Sequence, residues 1–271
     1  MTKLKYTFKT DTLFKILFVK YPDLLKKLVA ELLRIPLDSI EQFVIRNSET
    51  PPELLGDKFC ILDISMLING QRVNLEIQVK DKGDFPERAL YHWAREYSTA
   101  LPEGGNYSTL PRTIVVCIIN FKQFDCDDFH SEYRSLEVTR HTELTDKKVI
   151  HFFELPKIPQ TTNKNDRLLL WLSLFNANTE EDLSKIGEME VPEMQQAIEA
   201  YRHITVSEEF KEMERIRSKA RHDEAQALHH AEHKKAFAIA KNMMADGESI
   251  EKIIRYTDLT REEVEGLQDA D

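Results

Sequence analysis

Residues 62–79, LDISMLINGQRVNLEIQV, constrain the fold more than any other stretch of the chain. Two alternating apolar and polar runs flank Asn69-Gly70. That dipeptide suits a two-residue hairpin turn because both central positions need positive φ. The turn fixes the pairing. Ile68 faces Gln71, Leu67 faces Arg72, and counting outward sets Asp63 opposite Glu76. Side chains alternate along a strand, so Leu62, Ile64, Met66 and Ile68 share one face with Val73, Leu75, Ile77 and Val79. The other face carries Asp63, Ser65, Arg72, Asn74, Glu76, Gln78 and Lys80.

Two carboxylates opposed across an antiparallel pair repel each other at a Cβ spacing of about 4.5–5.5 Å. A hard cation between them reverses the sign, because Mg²⁺ is bound through one or two carboxylates plus waters and phosphates. The alternative is an amphipathic hairpin whose polar face is simply wet. The pattern alone leaves both open.

With 271 residues the chain has room for one large domain, or for a core and an appendage. No apolar run approaches the ~20 residues a bilayer requires, and the N-terminus lacks a signal-peptide core. A cytoplasmic protein with no membrane partner is expected. Cys60, Cys117 and Cys126 lack metal-ligand spacing, and Cys60 and Cys117 read as small core residues. The net charge of −10 argues against a broad nucleic-acid-binding surface. Residues 1–34 nonetheless carry seven lysines and Arg34 against three acids, either a local basic footprint or a solvated helix face.

Thr10 or Asp11 can cap a helix through Leu13, Phe14, Leu17 and Phe18, with a break or kink at Pro22 and a continuation through Leu24 to Leu32. Residues 43–45 read as a short strand, and 51–57 as a loop. After the hairpin, Asp81 to Asp84 is a turn, and a helix runs from about Pro86 to Leu101. Arg88, Tyr91 and Arg95 align on one face of it. Residues 112–119 form a continuous apolar strand of the kind buried on both faces, and residues 149–155 form another. Such an order gives a mixed sheet with helices on its faces. Beyond Asp166 the chain is helical, with a long charged helix over roughly 206–244. Three short helices from Ala236 to Leu267 suit either a packing tail or a helix-turn-helix unit.

Asp63 followed by Glu76-Ile77-Gln78 resembles the PD-(D/E)XK nuclease motif, in the variant where glutamine replaces lysine. The chain as a whole is similar to the Rpn group of recombination-promoting nucleases, also described as transposase-like. The likeness rests on residues 10–15 (TDTLFK), 73–79, 88–93 (RALYHW), Tyr107, 151–157 (HFFELPK) and 239–244 (IAKNMM). It implies an α/β PD-(D/E)XK (restriction-endonuclease-like) core, with a mixed central sheet flanked by helices and a helical C-terminal extension. The implied domains are 1–205, with its core at about 10–160, and a 206–271 tail.

The same likeness implies a Mg²⁺-dependent DNA endonuclease of recombination, mobile-element or phage-defence systems in a bacterial cytoplasm. Mn²⁺ or Ca²⁺ could stand in for Mg²⁺. Asp63 and Glu76 are then metal ligands, with the Ile77 carbonyl as a further donor. Gln78 takes the place of the superfamily lysine and is catalytic with them. Glutamine orients by hydrogen bonds but brings no charge, so Lys80 is a candidate source of it. Arg88 and Tyr91 are candidates for the DNA backbone, Arg88 alternatively pairing with a nearby carboxylate. A catalytically weak DNA-binding or assembly protein is the competing reading. The 206–245 helix could pair two protomers, although it lacks sustained heptads. His229 and His233 are spaced i, i+4, but residue 230 is histidine, so a zincin's general base is missing.

Overall fold

The computed structural model describes residues 2–46, 64–160 and 163–268. Six strands form one mixed sheet: β1 (Phe43–Ile45), β2 (Ile64–Ile68), β3 (Gln71–Gln78), β4 (Thr113–Ile119), β5 (His130–Leu136) and β6 (Glu143–Glu154). Their spatial order is β1-β2-β3-β4-β6-β5. The first three strands are antiparallel, β3, β4 and β6 run parallel, and β5 returns antiparallel to β6.

The hairpin forms in the expected register, from Ile68↔Gln71 to Ile64↔Leu75. Asn69 and Gly70 both have positive φ, at 48° and 77°, as the two-residue turn requires. Asn69 also anchors the turn. Its Oδ1 accepts from the N–H groups of Glu41 and Gln42 at 3.0 Å, and its Nδ2 donates to the Ser39 carbonyl at 2.7 Å. Asp63, Leu62, Cys60 and the 51–57 loop lie outside the described residues.

The apolar side of the sheet packs on α1 (Asp11–Lys20), α2 (Pro22–Leu33), α4 (Arg167–Asn176) and α6 (Pro192–Val206). Pro22 separates α1 from α2, since its ring removes the N–H that a continuous helix would use. Thr10 precedes α1 but makes no side-chain cap. Phe14, Phe18, Trp171 and Phe175 interlock at ring separations of 5.1–6.2 Å, closing the layer. A short α5 (Glu180–Gly187) begins on a Thr179–Asp182 capping box. The parallel pair β3–β4 is joined by α3 (Phe85–Ser98), which covers the opposite side.

β4 is buried along its whole length, as its apolar run predicts. β5 was not legible. Its sequence HSEYRSL lacks apolar alternation because it is an edge strand held by its ladder to β6. β6 begins six residues before the expected 149–155 segment; residues 143–147 extend past its ladder to β4, which starts at Thr113↔Lys148, and pair with β5 at Glu143 and Thr145.

The chain's internal contacts divide into residues 1–213 and 214–271, a boundary inside α7 (Glu208–Ala245). Ser207, in an extended conformation, ends α6 and donates its Oγ to the Ile204 carbonyl. The second unit closes on Ala240, Ile253, Leu259 and Val264, from the end of α7, α8 (Ile250–Thr257), the α8–α9 turn and α9 (Arg261–Gln268). Among the described residues, no helix is long and apolar enough to cross a membrane.

Candidate functional site

The middle of the hairpin's polar face is not wet, which there corrects the simpler of the two readings above. Ser65, Asn74 and Glu76 are all buried, Glu76 to 2% exposure. The cause is α3. Its Phe85–Ala89–Trp93 stripe packs on Val115, Cys117 and Ile119 of β4 and on Ile150 and Phe152 of β6. That contact lays the adjacent stripe, Arg88 and Glu96, over β3 and β2. Trp93 donates its indole N–H to the Thr113 carbonyl at 3.0 Å, which fixes the helix across the sheet.

Two clusters fill the layer. Near the hairpin turn, Glu96 pairs with Arg46 at 2.8 Å and with Arg72 at 3.7 Å. Arg72 also donates to the carbonyls of Glu96 and Thr99, at 2.7 and 3.2 Å, and so caps the last turn of α3. A cation belongs there because the helix C-terminus is its negative end. This cluster is structural.

The second cluster lies at the far end of β3. Arg88 donates to Glu76 Oε1 and reaches Gln78 Oε1 at 3.3 Å. Gln78 donates in turn from Nε2 to the Lys80 carbonyl at 2.8 Å, and its own carbonyl accepts from Asn120 N–H at 2.9 Å. The Arg88 guanidinium lies 5.6 Å from the Phe85 ring centroid. Of the residues singled out in the sequence, Glu76, Gln78 and Arg88 therefore meet. Lys80 is exposed past the strand end, and Asp63 lies outside the described residues. The aligned trio on α3 separates: Arg88 turns to the sheet, while Tyr91 (64% exposed) and Arg95 face solvent.

The donor set is of the kind a hard divalent cation takes. Glu76 supplies a carboxylate and Gln78 an amide oxygen, and both already turn to one cation, Arg88. Among the described residues, no group of three or more His, Cys, Asp or Glu gathers to hold a metal by itself. Any such site therefore needs Asp63, waters or substrate oxygens.

A family model described as PD-(D/E)XK nuclease family transposase matches residues 8–231. The chain belongs to that family. No curated protein and no solved structure matches it. The family's span covers the whole sheet and α3, and it stops before α8 and α9.

Other candidates are placed elsewhere. Several basic residues of segment 1–34 are committed: Lys9 and Lys15 are buried, Lys20 pairs with Glu209, and Lys26 donates to the Ile40 carbonyl. His229 and His233 stack at 5.7 Å, and His233 pairs with Glu263 at 3.0 Å. On α9, Glu262, Glu263 and Glu265 outnumber Arg261, a balance that opposes phosphate rather than attracting it. The pairing of Arg88 with Glu76 was only one of the alternatives open in the sequence. The role of Glu96 was missed, because a helix's contact with a strand about 30 residues away leaves no periodic signal.

Proposed function

We propose that this PD-(D/E)XK protein is a divalent-cation-dependent DNA endonuclease acting in recombination, mobile-element or defence processes. What supports the reading is Glu76, an acid buried on the motif strand and gripped by Arg88 beside Gln78. Asp63 and Glu76 hold the cation, Mg²⁺ or another such as Mn²⁺, with the Ile77 carbonyl as a further donor. When bound, the cation polarises the scissile phosphate and lowers the pKa of the attacking water. Arg88 positions the Glu76 carboxylate before substrate arrives, which lowers the reorganisation cost. It also supplies, 3.3 Å from the Gln78 amide oxygen, the positive charge that glutamine lacks. Lys80, exposed past the strand end, meets Gln78 through its backbone carbonyl. Tyr91 and Arg95 form the outer surface along which the DNA backbone lies.

One observation favours a second reading, a catalytically weak DNA-binding or assembly protein. Arg88 already neutralises Glu76 and so competes with a metal for it. Nicking of supercoiled plasmid in Mg²⁺ separates the two, comparing wild type with Asp63→Ala and Glu76→Ala. The nuclease reading expects nicking by wild type and its loss in both variants. Equal nicking in all three sinks the site assignment. No nicking by wild type, in Mg²⁺ or Mn²⁺, supports the second reading.

A further inference from the structure

A cavity of about 290 Å³ opens on the other side of the sheet, at the hairpin-turn end. Gln71 and Val73 line it, whereas Asn74, Glu76 and Gln78 lie on the opposite face of the same strand. The sheet thus separates this cavity from Glu76. Leu33, Ile68, Val73 and Ile114 form an apolar wall; Arg112, Glu132, Arg134 and His151 converge on the rest.

The charge here is not balanced. Arg112 Nε is buried with no hydrogen-bond partner among the described residues. Arg134 is held by Glu132 at 2.5 Å and by Glu143 at 3.2 Å. Arg34, the left-handed residue that ends α2, adds a third guanidinium acting on His130. Of these, Arg112 and Arg134 line the cavity, against one lining carboxylate, Glu132. His130 Nε2 and His151 Nδ1 lie 3.0 Å apart, so the pair holds one proton between its ring nitrogens and has capacity for more. Burial pushes the His151 imidazolium down to about 4; Glu132 pulls the other way, while His130, Arg112 and Arg134 add to the push. Burial, then Arg34, also lowers His130.

We infer that this cavity binds a small phosphate-bearing molecule, with its phosphate on the Arg112 guanidinium and its carbon skeleton on the apolar wall. A planar guanidinium matches phosphate oxygens in a fork, and one left without a partner in a concave site is a specific recognition element. The volume lies just below the ~300–1,000 Å³ typical of small-molecule pockets, room for a small ligand and not for a duplex. A dianion outweighs the single surplus charge and draws a proton onto the His130–His151 pair, so ligand and proton bind cooperatively.

Isothermal titration of the full chain without divalent cations tests this, using inorganic phosphate, a mononucleotide and a 5′-phosphorylated oligonucleotide. Phosphate and the mononucleotide are expected to fill one saturable site in wild type and equally in Glu76→Gln. Arg112→Gln weakens them at least ~10-fold, the loss expected for a charged hydrogen bond. Arg134→Gln, at a partly exposed side chain, weakens them by a smaller factor and serves if Arg112→Gln does not fold. Saturation with phosphate also raises the His151 titration midpoint, read by NMR of the imidazole protons. The inference is overturned by no saturable binding up to about 10 mM, a Kd of negligible affinity. It is equally overturned by binding of the oligonucleotide alone, unchanged binding in both arginine variants, loss in Glu76→Gln, or a His151 midpoint that does not move.

Discussion

The two faces of β3 are buried to similar depth and held by opposite physics. Val73, Leu75 and Ile77 face aromatic and aliphatic side chains, where each buried side chain contributes about 1.5–3 kcal/mol through area alone. Asn74 and Glu76 face α3, where burial is unfavourable unless hydrogen bonds and ion pairs compensate. The apolar face therefore responds to lost volume and tolerates changes of chemistry that keep it. The polar face responds to which partner is lost: removing Arg88 strands the buried Glu76, whereas removing Glu76 frees an Arg88 that is 33% exposed. Equal burial does not mean equal function. A buried acid maintained at the cost of desolvation points to a chemical use, whereas a buried leucine needs no further reason.

The largest effect expected on this contrast is that of Glu76→Ala. Nicking should fall about 10³-fold, or ~4 kcal/mol of transition-state stabilisation, while thermal stability changes little because Arg88 can turn to solvent. A large drop in melting temperature with proportionate loss of activity would make Glu76 a structural residue instead. On the other face, Leu75→Ala should cost about 2–5 kcal/mol in urea unfolding and leave the turnover of the remaining folded protein intact.

Acid provides the next test. His151 is held near pKa 4 when folded and returns to its ordinary 6.5 when unfolded. Between those values the unfolded chain binds more protons, so this contribution is complete above pH 6.5 and is lost as pH falls toward 4. It amounts to about 3 kcal/mol, read as urea midpoints across that range. His151→Phe should flatten the curve; an unchanged slope would assign it to other groups.

Arg88→Gln should lower kcat by about 10–100-fold, and Arg88→Lys should recover part of that by restoring charge without the fork. Equal loss in both would mean that geometry rather than charge matters. The smallest effect belongs to Lys80→Ala, for which nicking and melting temperature should match wild type. A clear loss there would return the missing charge to Lys80.

Much of this was legible in the residues. Asn69-Gly70 fixed the register of β2 and β3, and the apolar run within residues 112–119 marked the central parallel strand. Pro22 marked the break between α1 and α2. Each is a local signal, carried by turn chemistry or by a short repeat. β5 escaped because an edge strand's stability comes from its ladder rather than from its side chains. The polar layer under α3 escaped for a related reason. A row of Ser, Asn and Glu on a strand reads the same whether water or a helix covers it.

Taken alone, the sequence determined which side chains of the hairpin share a face and that Glu76 lies on the strand after the turn, since alternation and turn geometry are properties of a few neighbouring residues. Only the tertiary structure decided that Glu76 is buried, that the Arg88 guanidinium reaches both Glu76 and Gln78, and that Arg112 and His151 share a cavity behind the same strand. Those outcomes depend on how a helix and strands distant in sequence pack together, and packing is set by the whole core at once.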